Sequence, residues 1–153
     1  MLACYVWTNS QILNTTNAVV NLYPEEKADL YIRMGVHMSS ELISAVRASG
    51  VYENVYCIEP FNINYNKLPF GFIRHFRAVF LKQALRRAYG ALLDRLCKGK
   101  VYDRVLLAWF YTENVFLLEY WAKSNPDLQI TLVDEGTGSY CYHKREILFP
   151  LSL

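Results

Sequence analysis

Gln129-Ile130-Thr131-Leu132-Val133-Asp134-Glu135-Gly136 is the most informative segment of this sequence. Its first five residues form a short, mostly apolar run, which is typical of a buried β-strand. Two carboxylates and a glycine follow directly. Acidic side chains are therefore expected at the carboxyl end of a strand, where open α/β sheets hold their ligands. The alternative is an acidic turn with no further role, because Asp and Gly are common turn residues.

Upstream of this stretch, short apolar runs alternate with longer segments of helical period. This alternation predicts an α/β fold in which helices flank a parallel sheet. Ser39 is expected to cap one of the helices and Gly50 to end it. Right-handed crossovers then give a Rossmann-like, doubly wound sheet. The predicted strands are 2–7, 29–32, 54–58, 104–108 and 129–133, and the predicted helices are 10–21, 40–49, 72–98 and 114–124.

Composition narrows the classes of function. The chain has 153 residues, 53% of them hydrophobic and 20% charged, which predicts one domain that is folded throughout. The net charge of +2 and the lack of a basic segment interleaved with aromatic residues argue against nucleic acid as a partner. The four cysteines form no Cys-x-x-Cys pair and the three histidines have no ligand spacing, so no metal site or disulfide framework is predicted. Reduced thiols indicate a cytoplasmic protein.

The long predicted helix is rich in basic residues. A basic amphipathic helix can lie on an anionic membrane surface, which predicts a peripheral contact at the inner face of the membrane. A solvated helix face is the alternative interpretation. The residues in question are Arg74, His75, Arg77, Lys82, Arg86, Arg87, Arg95 and Lys98.

The loop after the first strand carries no glycine-rich phosphate fingerprint, no P-loop follows, and no Gly-x-Ser-x-Gly elbow occurs. A polar segment, Thr8-Asn9-Ser10-Gln11, stands in that position. Its amides and hydroxyls are suited to sugar hydroxyls, and the N–H groups at a helix start favour an anion. Asn9 or Ser10 is expected to cap the helix as well.

Two motifs together resemble a known family. The polar turn with Gln11-Ile12-Leu13-Asn14 and the acid-acid-Gly motif Asp134-Glu135-Gly136 look like the amino-terminal half of bacterial lipooligosaccharide sialyltransferases and polysialyltransferases. The resemblance implies a GT-B architecture, in which residues 1–153 are the acceptor-side domain. A second, nucleotide-sugar domain with a His-Pro motif completes that architecture. No histidine here precedes proline, so we expect a chain that lacks the second domain and is inactive alone.

The resemblance also implies a chemistry. Asp134 or Glu135 is expected to act as the general base in an inverting transfer from CMP-sialic acid to a glycan acceptor, in capsule or lipooligosaccharide synthesis, without a cofactor. Asn9, Ser10, Gln11, Gly136 and Thr137 are the expected substrate-binding residues. The expected partners are the acceptor and either the second domain or another copy of the chain. Two alternatives remain, namely a flavodoxin-like binding module without activity and a GT-B enzyme that uses another nucleotide sugar.

Overall fold

The computed structural model describes residues 1–35, 38–61, 74–108 and 112–133. In these ranges five strands form one sheet in which every pairing is parallel, and four helices flank it. The α/β, Rossmann-like fold is thereby confirmed. The elements are β1 (Leu2–Val6), α1 (Asn9–Leu22), β2 (Ala28–Arg33), α2 (Ser40–Ala48), β3 (Asn54–Ile58), α3 (Arg74–Cys97), β4 (Arg104–Leu107), α4 (Thr112–Ser124) and β5 (Gln129–Leu132).

The strand order is β3-β2-β1-β4-β5, so the direction of winding reverses at β1. The carboxyl ends of β1 and β4 therefore border the crevice where doubly wound folds bind ligands. A flavodoxin-like sheet has the order 2-1-3-4-5 instead. The flavodoxin-like topology considered from the sequence is accordingly wrong.

Each face of the sheet carries one pair of helices, as right-handed crossovers require. Ile12 and Val19 of α1 pack with Ile43 of α2 over one face. On the other face, Leu93 of α3 packs with Trp121 of α4. The start and the end of α2 follow local signals in the sequence, as predicted. Ser39 caps the helix, and Gly50 adopts a positive φ of 69° just after it.

Strand β5 departs from its prediction as a buried strand. Ile130 and Leu132 are 47% and 57% exposed. The reason is its place at the edge of the sheet, where β4 is its only partner among the described strands. An apolar run of this length does not by itself distinguish a central strand from an edge strand.

Several basic residues in helix α3 and just after it are exposed, namely Lys82, Arg86, Arg87, Arg95 and Lys98. Arg86 also makes two hydrogen bonds of 2.7 Å to the carboxylate of Glu119 on α4. Arg86 therefore ties the two helices together. The membrane contact expected from the sequence stays a prediction. Within the four described ranges, no helix is long and apolar enough to cross a membrane.

A fully buried carboxylate lies on the face covered by α3. Asp29 of β2 accepts hydrogen bonds from the Asn54 side chain (2.8 Å), Lys100 Nζ (2.8 Å) and the Tyr102 hydroxyl (2.6 Å). These partners come from β3 and from the segment that leads into β4. Ala3 of β1, whose side chain is a single methyl group, is in register with Asp29. Burying an unpaired carboxylate is very costly, and these three donors offset that cost.

The same cluster continues into two buried tyrosines. The Tyr102 hydroxyl lies 2.6 Å from that of Tyr31. Burial and then the hydrogen bond to Asp29 raise the pKa of Tyr102 well above its ordinary value, and burial does the same to the pKa of Tyr31. Burial opposes the charge of Lys100, but the hydrogen bond and charge of Asp29 raise its pKa overall. The lysine is therefore cationic and the tyrosines are neutral at physiological pH.

The cluster predicts that the protein loses stability in alkali. The folded chain keeps the Tyr102 proton, whereas the unfolded chain releases it near the ordinary tyrosine pKa of about 10. The free energy of unfolding is therefore undiminished below that pH and falls above it. Urea unfolding between pH 9 and 11 should show this fall. In Tyr102→Phe we expect a slope above pH 10 that is shallower by up to about 1.4 kcal/mol per pH unit. Equal slopes for the two proteins would contradict the assignment.

Candidate functional site

The candidate site is the carboxyl edge of the sheet around the end of β1. The three residues predicted there from the sequence, Asn9, Ser10 and Gln11, all lie in the first turn of α1, directly after that strand. Their role as substrate-binding residues stays a prediction. The structure assigns the three side chains quite different surroundings.

Thr8 caps α1, which corrects the prediction that Asn9 or Ser10 does so. Its backbone is extended, with φ −128° and ψ 160°, and its hydroxyl accepts a hydrogen bond from the Gln11 N–H at 3.2 Å. Gln11 reaches back in turn, because its side-chain oxygen accepts a hydrogen bond from the Trp7 N–H at 2.6 Å. Thr-x-x-Gln is a capping-box pattern, and this signal was present in the sequence.

Gln11 is consequently a structural residue at this edge. It is only 4% exposed, and its amide oxygen is used to hold the turn after β1. Asn9 also links segments, since its side-chain oxygen accepts a hydrogen bond from the Ser39 N–H at 3.1 Å, just before α2. Ser10, by contrast, is exposed. Of the three residues, Ser10 is therefore the one most accessible to a ligand.

Two residues at this edge were not singled out from the sequence. Trp7 follows β1 and Arg33 ends β2, and the Arg33 Cζ lies 4.0 Å from the centre of the Trp7 ring. Both are half-buried. The available signal was positional: each residue comes at the end of a predicted strand, and parallel neighbouring strands end at the same edge.

Strand β5 ends at this edge too. The Val133 N–H donates to the Leu107 carbonyl at 2.8 Å, so the parallel ladder continues to the last described residue. Because β1, β4 and β5 pair in parallel, β1 and β5 have their carboxyl ends at the same edge. Asp134, Glu135, Gly136 and Thr137 lie outside the described residues, and their roles stay predictions.

The opposite, amino edge of the sheet has a polar depression. Arg104 lies there with its Nη1 3.6 Å from a Glu26 carboxylate oxygen, and it also donates to the Gln129 side chain. These contacts connect the first residue of β4 with the first residue of β5 and with the turn before β2. Its lining is Glu26, Asp103, Arg104, Asn125, Asp127 and Gln129. In the part of the chain that the structure covers, no group of His, Cys, Asp and Glu residues is arranged to hold a metal ion.

Comparison with known proteins does not assign the chain to a family. No family model matches the chain, and no curated protein matches it significantly.

The contrast between Gln11 and Ser10 can be tested by stability. Gln11→Met leaves the Trp7 N–H without its acceptor, so we expect the free energy of unfolding to fall by about 1–3 kcal/mol. Ser10→Ala removes an exposed hydroxyl and should change it by no more than about 0.5 kcal/mol. Urea titrations at pH 7 measure both. Equal losses in the two variants would show that the capping arrangement is not what holds this turn.

Proposed function

We propose that this chain is the acceptor-side domain of an inverting glycosyltransferase that moves sialic acid from CMP-sialic acid to a glycan. One observation supports the proposal most. Strand β5 runs parallel to β1, with β4 between them, and it ends at the edge that carries the Thr8–Gln11 turn. The next residues in the sequence are Asp134-Glu135-Gly136. Carboxylates that follow such a strand are suited to act near the switch point.

The proposed chemistry needs one carboxylate. Asp134, or its neighbour Glu135, takes the proton of an acceptor hydroxyl as that oxygen attacks the anomeric carbon of the sialic acid. The bond from that carbon to the CMP phosphate breaks, and the leaving phosphate takes its electron pair. General-base assistance of this kind contributes roughly 10²- to 10⁴-fold in rate.

The turn after β1 has a supporting role in this proposal. Thr8, Gln11 and Asn9 fix its backbone through the hydrogen bonds described above, so the exposed Ser10 hydroxyl is presented from a rigid element. Placing contacts on rigid elements reduces the entropy lost when a ligand binds. Contacts to the CMP group are assigned to a second domain, as the family resemblance implies. The donor site is therefore not expected within residues 1–133.

The test replaces each carboxylate by its amide in the full-length gene product. Asp134→Asn removes the base while nearly preserving shape, and kcat for sialic acid transfer should fall by about 100-fold or more with little change in stability. Glu135→Gln shows whether the neighbour carries the role instead. The assay measures the transfer of labelled sialic acid from CMP-sialic acid to a glycan acceptor.

A matched control keeps this test specific. Asp127→Asn makes the same change in an exposed turn at the amino edge of the sheet and should leave transfer unchanged. If both Asp134→Asn and Glu135→Gln transfer sialic acid as fast as the control, the acidic turn is structural and the proposed mechanism is wrong.

A further inference from the structure

We propose that the outer surface of helices α3 and α4 binds an anionic lipid bilayer through charge. Four basic residues define this surface, which we call the basic surface. Arg87 and Arg95 stand at positions i and i+8 of α3, which belong to one stripe of a helix. Lys98 follows the end of α3, and Lys123 lies in the last turn of α4. All four side chains are exposed.

The positive charge of the basic surface is not cancelled by its neighbours. Asp94 and Glu119 are the acidic residues of α3 and α4 whose side chains the structure describes. Glu119 is already paired with Arg86 at 2.7 Å, and Asp94 accepts a hydrogen bond of 2.6 Å from the Tyr120 hydroxyl. Within the described part of the chain, none of the four basic residues forms an ion pair. The surface therefore has an excess of positive charge, although the net charge of the whole chain is only +2.

The apolar side of α3 takes no part in this contact. Tyr89, Leu93 and Cys97 are buried in the core on the face of the sheet that α3 and α4 cover. An amphipathic helix that enters a membrane interface does so with its apolar side, and here that side already packs within the protein. The contact is therefore electrostatic. The negative surface potential of anionic lipids attracts Lys and Arg side chains, and this attraction falls off within a Debye length.

The shape of the basic surface favours a bilayer over a nucleic acid. Helix α3 lies beside α4, tied to it by the Arg86 pair with Glu119 and by the Tyr120 hydrogen bond to Asp94. The major groove of duplex DNA is about 12 Å wide and admits one helix, not two side by side. Single strands are bound by aromatic side chains on which the bases stack. In the described side chains of these two helices, no aromatic residue is exposed.

Binding to a bilayer is independent of the proposed transferase chemistry. The basic surface lies on the outside of the layer formed by α3 and α4, whereas the proposed base follows β5 at the carboxyl edge of the sheet. Attraction to anionic lipid requires neither Asp134 nor a second domain. A failure of one proposal therefore leaves the other standing.

The experiment is co-sedimentation of the 153-residue chain with lipid vesicles. One set of vesicles contains phosphatidylcholine alone, and the other contains equal amounts of phosphatidylcholine and phosphatidylglycerol. At about 0.01 M salt, where the Debye length is about 30 Å, we expect binding to the anionic vesicles and none to the neutral ones. At about 1 M salt, where the Debye length is about 3 Å, we expect the binding to be lost.

A charge-matched pair of double variants connects the binding to this surface. Arg87→Gln with Arg95→Gln should lower the partition coefficient by about 25-fold, because each Lys or Arg near an anionic membrane surface contributes about 5-fold (about 1 kcal/mol). Lys27→Gln with Arg47→Gln removes the same charge from exposed residues before β2 and on α2, and it should bind as the wild type does. Circular dichroism shows whether both double variants are folded.

Four outcomes would overturn the proposal. The first is equal binding to neutral and anionic vesicles, and the second is no binding at low salt. The third is an equal loss of binding in the two folded double variants, since net charge rather than this surface would then decide the binding. The fourth is tighter binding, per phosphate group, to single-stranded or duplex DNA than to the anionic vesicles, because the basic surface would then fit a nucleic acid better than a bilayer.

Discussion

The buried carboxylate of Asp29 is the constraint on which the rest of this fold depends. It receives hydrogen bonds from Asn54 on β3, and from Lys100 and Tyr102 before β4, so it joins both sides of the sheet around β1. An apolar residue at this position would pack without specifying any of these partners. The carboxylate instead penalises arrangements in which its donors are absent. The reversal of winding at β1, and with it the position of the crevice, is stabilised in this way.

The two edges of the sheet consequently have different roles. Polar side chains at the amino edge are largely used in bonds within the fold, with Asp29 buried and Arg104 paired to Glu26 and Gln129. At the carboxyl edge, hydrogen bonds hold the backbone of the turn after β1, while Ser10 stays exposed and Arg33 is stacked on Trp7. The described ion pairs of Arg104 and Asp29 thus lie at the amino edge, whereas Ser10 is exposed at the carboxyl edge.

Local patterns predicted most of the elements, and long-range contacts account for the differences. The third strand was predicted at 54–58, as observed, because its apolar run is bounded by clear turn residues. The prediction that β5 is a buried strand was wrong. Its exposure follows from its position at the edge of the sheet, and that position depends on the order of the strands. The cap of α1 was assigned one or two residues late, although Thr8-x-x-Gln11 carried the signal. The Asp29 cluster joins residues more than 70 positions apart, so no local pattern could reveal it.

The most direct test of whether Asp29 joins β2 to the segment before β4 is a double-mutant cycle between Asp29→Asn and Tyr102→Phe, measured by urea unfolding at pH 7. A direct hydrogen bond between these residues predicts a coupling energy of about 1–3 kcal/mol. The cycle between Asp29→Asn and Trp7→Phe, whose sites are at opposite ends of the sheet, should be additive within about 0.5 kcal/mol. Additivity of Asp29→Asn with Tyr102→Phe would instead show that the buried carboxylate does not connect β2 to the segment before β4.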